Sequence, residues 1–560
     1  MRSKAKWSLL LSIVLVLSLV LSACSGSKNS DSKKSGDSNA LAKDQVLNAA
    51  IGQDIPTLDP TQQTDTTSGN VLQMVNAGLT RMHNDKYEFD MAAGEPKANA
   101  DKTEFTFTLR DGIKWSDGKP VTAQDFVYGW QHENDPASKP AYNFLYASVG
   151  IKNASKIQNP KDPMYGKVQN LGIKATDDKT VVVTLDKPAP PFFLSILSQP
   201  QFYPLREDFI KAQGKNYAQD ADKVLYNGPF VLQSWDHGKG WTYAKNKNYW
   251  NAKNIKLSKI NVKVVKELAT RVNLYKTGKI DTVFLSGDFI DSMKASNPKE
   301  FHTGMTSGTF FLYINQKTNK NFKNLNLRKA VNLAINKKDF VDVLMKDGSN
   351  ASNYVVPKGF VKGPDGQDFR ATADNDELKG SATDAKAYWE KAKKELGIKT
   401  LNINFLTPDG DSYKKWDEYI ADQLQTNLKG VKVTINQQPW GNYLKLNQDF
   451  KFDLAFSGWF PDYQDPMTYL DMWTTDQPQN TTGWSNKKFD SLIKSAYNEK
   501  DPAKRWKYLQ DAESVMLKDA PIVPMIQGGE AWVQKTYVKG IDYPLYGPQV
   551  DYTGVTITKH

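Results

Sequence analysis

The chain has 560 residues with a single cysteine, and its 73 Lys and Arg against 62 Asp and Glu give a formal charge of +11. A hydrophobic core stops growing at about 250–300 residues, so this length predicts several domains. One cysteine excludes an intramolecular disulfide, a cysteine-ligated zinc site and an iron–sulfur cluster. The basic residues are scattered without a run of five, which favours a solvated surface over nucleic-acid binding.

The N-terminus has the pattern of a secretory signal. Basic residues come first, the uncharged apolar stretch 7–21 follows, and a Leu-Ser-Ala-Cys segment ends at Cys24. This segment resembles a bacterial lipobox, which implies that 1–23 is a lipoprotein signal peptide and that Cys24 carries a diacylglyceryl anchor. Ordinary signal cleavage that leaves a free thiol is the alternative. The polar residues 24–44 predict a flexible tether.

In chain order, the body alternates strand-like and helix-like segments. A helix is predicted over 122–133 with Thr122 as its N-cap, and a second over 327–344 that stops at Gly348. Strands are predicted from apolar runs and period-two alternation at 46–51, 105–110, 180–185, 241–250, 260–265, 452–456 and 521–525. This alternation predicts an α/β protein with mixed sheets.

Motifs for catalysis are absent from the sequence. The five histidines show no metal-ligand spacing, and neither a P-loop, a G-x-G-x-x-G nor a G-x-S-x-G segment occurs. We therefore expect no metal, no cofactor and no catalytic residue, and the prediction moves from enzyme to binding protein.

Five ordered segments resemble the oligopeptide-binding lipoproteins of bacterial ABC importers, the extracellular solute-binding protein family 5. They are LDP at 58–60, LRDGIKWSDGKP at 109–120, NGPF at 227–230, LRKAV at 327–331 and GWFPDYQDP at 458–466. The resemblance implies a periplasmic-binding-protein-like α/β fold with two mixed-sheet lobes, a hinge and an additional domain.

The resemblance also implies where the domains divide. Domain I, or lobe 1, would be discontinuous and combine residues 45–80, 213–308 and 525–560. The extra domain II would span 81–212, and domain III, or lobe 2, would span 309–524.

The same resemblance implies a peptide site between the lobes. Asp462 matches a family aspartate that holds the α-ammonium of the peptide, a charge-assisted contact. Gly458, Trp459 and Phe460 match a strand that pairs with the peptide main chain. Such pairing gives affinity without a choice of side chains.

Further residues are expected to line this site by the same resemblance. Ser68, Gly69 and Asn70, in a predicted loop over 66–70, match a second backbone-binding edge. Trp440 and Tyr142 match pocket-lining aromatics, although burial in a core explains any single aromatic residue equally well.

One departure from the family concerns the C-terminal end of the peptide. Some short-peptide binders clamp that carboxylate with arginines, and Asn447 and Phe456 occupy the matching places here. Neither side chain can neutralise a carboxylate. We therefore hypothesise a preference for longer peptides or for peptides of variable length.

Taken together, the sequence predicts a monomeric, lipid-anchored receptor on the extracytoplasmic face of the cell membrane, of the Gram-positive type. It would bind oligopeptides and deliver them to the permease subunits of an ABC importer, without enzymatic activity. Alternatives are a receptor of the same fold for a nickel chelate, haem, an oligosaccharide or a peptide pheromone. A secreted hydrolase or an envelope folding factor is a further alternative.

Overall fold

The computed structural model describes residues 40–373, 377–477 and 479–560. The predicted signal peptide, Cys24 and most of the tether lie outside the described residues. Residues 44–557 form one compact unit. In the described part of a second unit, a β-bridge joins Leu41 to Thr558. Among the described residues, no helix is both long and apolar enough to cross a membrane.

The strands are numbered in chain order. They are β1 (Val46–Ile51), β2 (Thr80–His83), β3 (Lys86–Phe89), β4 (Lys97–Ala98), β5 (Glu104–Thr108), β6 (Ile173–Asp177), β7 (Thr180–Thr184), β8 (Phe230–Asp236), β9 (Gly240–Lys245), β10 (Lys259–Val264), β11 (Thr282–Leu285), β12 (Phe301–Ile314), β13 (Asn350–Ala351), β14 (Leu401–Pro408), β15 (Val431–Gln438), β16 (Leu454–Trp459), β17 (Ile522–Gln534), β18 (Val538–Lys539) and β19 (Thr556–Ile557).

The longer helices pack beside these strands. They are α1 (Thr66–Val75), α2 (Ala123–Asn134), α3 (Glu207–Gln213), α4 (Leu268–Lys276), α5 (Asp288–Ser296), α6 (Leu325–Ala334), α7 (Ala382–Leu396), α8 (Asp411–Asn427), α9 (Trp440–Gln448), α10 (Lys487–Asn498) and α11 (Pro502–Asp519). Shorter helical segments are Phe144–Val149, Ala154–Gln158, Phe193–Ile196, Lys337–Asp339, Phe340–Met345 and Phe369–Thr372.

Most of the strands join one mixed sheet of eleven strands, in the order β15-β14-β16-β12-β17-β11-β1-β10-β9-β8 with β13 beside β17. Strand β1 is parallel to β10 and β11, and β14 is parallel to β15 and β16, whereas β12 and β17 are antiparallel. Parallel and antiparallel pairs in one sheet confirm the predicted α/β class with mixed sheets.

The two long strands β12 and β17 cross the predicted boundary between the lobes. Strand β16 pairs with residues 309–314 of β12, at one end, and β11 pairs with residues 531–534 of β17, at the other. The register between β12 and β17 shifts between Met305 and Thr309. This irregularity lies at the boundary predicted between domains I and III, although that division stays a prediction.

Two hydrophobic cores pack on different parts of the large sheet. One core contains Leu312, Trp389, Phe405, Phe456 and Met525, which are all buried and come from β12, α7, β14, β16 and β17. The other is formed by α4, α5, β11 and β17. Burial of these side chains stabilises each half, at about 25 cal/mol per Å² of apolar surface.

The segment predicted as domain II has a sheet of its own. Strands β4-β5-β7-β6 form a four-stranded sheet, and β2 and β3 form a hairpin. Helix α2 packs on β6 and β7, and it begins as predicted, because the Asp125 carboxylate accepts the N–H of Thr122 at 2.9 Å.

Some predicted boundaries were wrong. The helical region after α6 ends at Met345 and not at Gly348, because Lys346 already adopts a left-handed conformation. Strand β9 stops at Lys245 because the chain turns there, and β17 extends to Gln534 because β12 pairs along it.

Candidate functional site

Asp462 lies in the turn that follows β16, and the surrounding chain fixes its backbone. Its N–H donates to Thr468 Oγ1 at 3.0 Å, and its carbonyl accepts from the Tyr546 hydroxyl at 3.1 Å. Its carboxylate, by contrast, has no hydrogen-bond or ion-pair partner within the described parts of the chain. The structure therefore holds the residue in place and leaves the charged group available.

The environment of this carboxylate disfavours its charge. Asp462 keeps some accessible surface, but desolvation by the enclosing protein and, to a lesser extent, the charge of Asp471 together raise its pKa to about 7. No cation of the described residues is among the groups that shift this pKa. A cation that entered the site would lower the pKa again and would make the favourable ion pair that the protein alone lacks.

Three tyrosines surround Asp462, and each comes from a different predicted domain. They are Tyr142 of domain II, Tyr469 of domain III and Tyr546 of domain I. Burial raises the pKa of all three hydroxyls, and the charge of Asp462 contributes in each case. The charge of Asp462 therefore acts on side chains from all three predicted domains, and the predicted residue Tyr142 is one of them.

A second layer of polar contacts stabilises the turn. The Tyr463 and Tyr497 hydroxyls donate to Asp471 at 2.5 and 3.0 Å, while burial raises the Asp471 pKa to about 6. The guanidinium of Arg505 donates two hydrogen bonds to the buried Asp465, at 2.7 and 2.8 Å. Such bidentate pairs fix geometry as well as charge.

Strand β16 leads into this turn with one edge open. It pairs with β12 along its whole length, but β14 pairs with it only at Leu454 and Ala455. An antiparallel strand directs the amide groups of every second residue toward its other edge. Beyond Ala455, where Gly458 and Trp459 lie, that edge has no strand partner among the described residues.

The predicted strand residues have distinct environments. Gly458 leaves no room for a Cβ, which would lie 2.6 Å from the Phe310 ring. The indole N–H of Trp459 is buried without a hydrogen-bond partner in the described chain, and Phe460 is 50% exposed. The strand thus presents an unused donor and an exposed ring close to Asp462.

Trp440 lies near the other end of the open edge. It is 58% exposed and stacks on Tyr443 with 5.2 Å between the ring centroids, and the Tyr443 hydroxyl donates to the Phe456 carbonyl at 2.8 Å. No described contact joins Trp440 to Asp462. Its exposure nevertheless distinguishes it from a core tryptophan.

The predicted loop over 66–70 is wrong, because these residues form the first turns of α1. The Asp65 carboxylate caps the helix through the N–H of Ser68 at 2.8 Å. Ser68 is fully buried, and its hydroxyl accepts the Thr57 N–H. Gly69 is also buried, and Asn70 accepts the N–H of Val550. The structure gives these three residues packing roles and no contact with Asp462.

Phe456 and Asn447 occupy the positions where some family members have arginines, and both side chains are buried. Phe456 packs against the rings of Phe310, Tyr413 and Trp416. Asn447 is buried, and its side-chain N–H2 group has no partner in the described structure. A preference for longer peptides therefore stays a hypothesis.

Sequence reasoning missed Tyr469, Tyr546 and Asp471. Tyr469 follows the Gly-Trp-x-x-Asp-Tyr segment by only a few residues. A helical turn predicted after that segment would have indicated that Tyr469 lies near Asp462. Tyr546 lies in a Pro- and Gly-containing C-terminal segment that gives no such signal.

The candidate site therefore combines a carboxylate without a cationic partner and a strand edge without a strand partner among the described residues. The model of the bacterial extracellular solute-binding proteins, family 5, matches residues 86–481. The chain therefore belongs to this family, whose members are solute-binding receptors.

Relatives and solved structures agree with this assignment. The chain is 30% identical over 541 residues to the dipeptide-binding protein DppE of Bacillus subtilis, covering 96% of this chain and 97% of that protein. The substrate-binding domain of an oligopeptide ABC transporter from Bacillus anthracis is 40% identical, with a TM-score of 0.81 over 93% of this chain and 100% of that one. Listeria monocytogenes OppA bound to peptide is 38% identical, with the same TM-score and coverage. The predicted periplasmic-binding-protein-like fold is thereby confirmed.

Proposed function

We propose that this protein is a receptor that binds oligopeptides between its lobes and delivers them to an ABC importer. The observation that carries the proposal is the free carboxylate of Asp462, whose raised pKa reflects a buried charge without a counter-ion. The α-ammonium of a peptide is the cation that would complete this site.

The open edge of β16 supplies the second half of the argument. A peptide bound there would use its main-chain groups, which are the same for every sequence. The exposed rings of Trp440 and Phe460 flank this edge and would contact side chains without strict selection. The names of the relatives, which bind dipeptides and oligopeptides, support this class of ligand.

The other ligands fit the site less well. A neutral oligosaccharide has no group that would pair with Asp462, and haem and nickel chelates lack the repeating main-chain groups that suit a strand edge. A peptide pheromone shares the chemistry of a nutrient peptide and stays an alternative. Hydrolysis would need a catalytic centre, for which the sequence provides no motif, so we propose that the protein is not an enzyme.

Delivery would use a change between the lobes. Strands β12 and β17 connect the two ends of the large sheet and lose their regular register at 305–309. Closure about such a point would bury the peptide and create a surface for the permease. We further propose that Cys24 carries the lipid anchor on the extracytoplasmic face of the membrane and that the receptor is monomeric.

The test is a calorimetric comparison of a free peptide with its N-acetylated form. The peptide is the tightest binder from a series of two to ten residues, which also tests the hypothesis on length. Asp462→Asn should weaken the free peptide by about 2–5 kcal/mol, because the variant loses one partner of a buried charge pair. The acetylated peptide should bind weakly to both proteins.

Asp449→Asn is the matched control. Asp449 forms an exposed ion pair with Lys445 at 2.7 Å, so its loss should leave peptide affinity unchanged. Equal losses for the free and acetylated peptides in Asp462→Asn would refute the role of Asp462 in binding the ammonium.

A further inference from the structure

A cluster of metal-ligating side chains lies outside the candidate peptide site. It forms where the hairpin of β2 and β3 meets the C-terminal segment. His83 ends β2, and Asp542 and Asp551 face each other across an antiparallel β-bridge. Their three donor atoms lie within 4.8 Å of one another.

The distances within this cluster suit a shared cation better than direct hydrogen bonds. His83 Nδ1 is 3.6 Å from Asp551 Oδ2 and 3.9 Å from Asp542 Oδ2. Hydrogen bonds between such atoms are shorter, at about 2.7–3.2 Å. Ligands on a tetrahedral metal with bonds of about 2.1 Å are about 3.4 Å apart.

The buried carboxylate of Asp551 provides an independent observation. Its side chain is 1% exposed, and its Oδ2 atom is buried without a hydrogen-bond partner in the described chain. The other oxygen, Oδ1, accepts the N–H of Thr553 at 2.8 Å and lies 3.5 Å from the Arg81 guanidinium. These contacts orient Oδ2 toward His83. A buried oxygen without a hydrogen-bond partner is costly, and a cation bound at Oδ2 would remove that cost.

The surrounding charges favour a cation. The carboxylates of Asp85 and Glu88 lie near Asp542 and His83, respectively. The basic residues are Arg81, beside Asp551, and Lys86, which pairs with His83 across the hairpin. Asp542 Oδ2 also accepts the N–H of Asn84 at 2.9 Å, which fixes its direction. The four carboxylates of this region therefore outnumber its two basic residues.

We propose that His83, Asp542 and Asp551 bind one divalent transition-metal ion of the zinc class. One imidazole nitrogen and two carboxylate oxygens form a donor set that zinc accepts, with its fourth position left to water. The three residues come from opposite ends of the chain. Their spacing in the sequence therefore gives no sign of a metal site. The ion connects the hairpin to the C-terminal segment and stabilises the folded state by mass action. This site does not depend on the function proposed above.

The test is titration with zinc chloride, using the mature chain after treatment with EDTA and without a histidine tag. At pH 7.5 we expect one equivalent of zinc in calorimetry and a higher melting temperature with zinc. His83→Gln should weaken zinc binding by at least about tenfold and abolish the thermal shift. Asp542→Asn should have the same effect, because an amide replaces a charged ligand. Its amide oxygen can still accept the Asn84 N–H, so the local fold is kept.

His237→Gln is the matched control, because His237 forms an exposed pair with Asp220 at 3.0 Å. This variant should bind zinc as the wild type does. The proposal is overturned if the wild type binds no zinc, because a proton on His83 would then be the only cation at the site. It is also overturned if His83→Gln binds zinc as the wild type does. An equal loss in His237→Gln would also overturn it.

Discussion

Binding of a peptide should release a proton from Asp462. With a pKa of about 7, the empty protein carries this proton on about 0.9 of its molecules at pH 6 and on about half at pH 7. In the complex the ammonium favours the carboxylate, so the proton must leave. The deprotonation costs more as the pH falls, and affinity should drop about fivefold from pH 7 to pH 6. The α-amino group, with a pKa of about 7.7–8.0, stays mostly charged over this range.

The assay is calorimetry at pH 6 in buffers with different enthalpies of ionisation. The slope of observed enthalpy against buffer enthalpy counts the protons released, and we expect about 0.9 per peptide. Asp462→Asn has no carboxyl proton to lose at this position, so the number of protons released on binding should fall to nearly zero. Asp471 and the histidines are unchanged in this variant, so any release that they cause would persist. A slope near zero for the wild type, or an unchanged slope in the variant, would refute the reasoning.

Three further changes test the packing near the site and the predicted lipid anchor. Arg505→Met leaves Asp465 buried and unpaired, so chemical denaturation should show a loss of about 3–5 kcal/mol, and a loss below about 1 kcal/mol would contradict the account. Gly308→Ala places a Cβ 2.7 Å from the far end of the Phe460 ring, which is 50% exposed and can turn aside, so the same assay should show a loss below about 1 kcal/mol, and a larger loss would contradict the account. Cys24→Ala should release the protein from cell membranes into the medium, as fractionation would show, whereas continued attachment would exclude lipid anchoring through this residue.

Local patterns carried most of the correct predictions about the fold. The first turn of α2 depends on Thr122 and Asp125, which are neighbours in sequence, so the capping residues indicate the helix start directly. Strand β17 shows the limit of such patterns. Its prolines indicated a short strand over 521–525, but pairing with β12, which the sequence does not reveal, extends it to Gln534.

The site was predictable only in part, for a similar reason. Asp462 was named from the family resemblance of the Gly-Trp-x-x-Asp-Tyr segment, and its contact with a peptide stays a prediction. Of the three tyrosines whose pKa the charge of Asp462 raises, Tyr469 is close in sequence, whereas Tyr142 and Tyr546 come from distant segments that only the folded chain brings near it. The error at Ser68 has a local cause, because the Asp65 carboxylate caps a helix where the sequence predicts a loop.

The most direct test of the central claim is a crystal structure of the mature protein with its tightest-binding peptide. We expect the peptide between the lobes, along the open edge of β16, with its N-terminal nitrogen about 2.7–2.9 Å from a carboxylate oxygen of Asp462. A peptide that binds elsewhere, or one that leaves the Asp462 carboxylate without a cationic partner, would contradict the account.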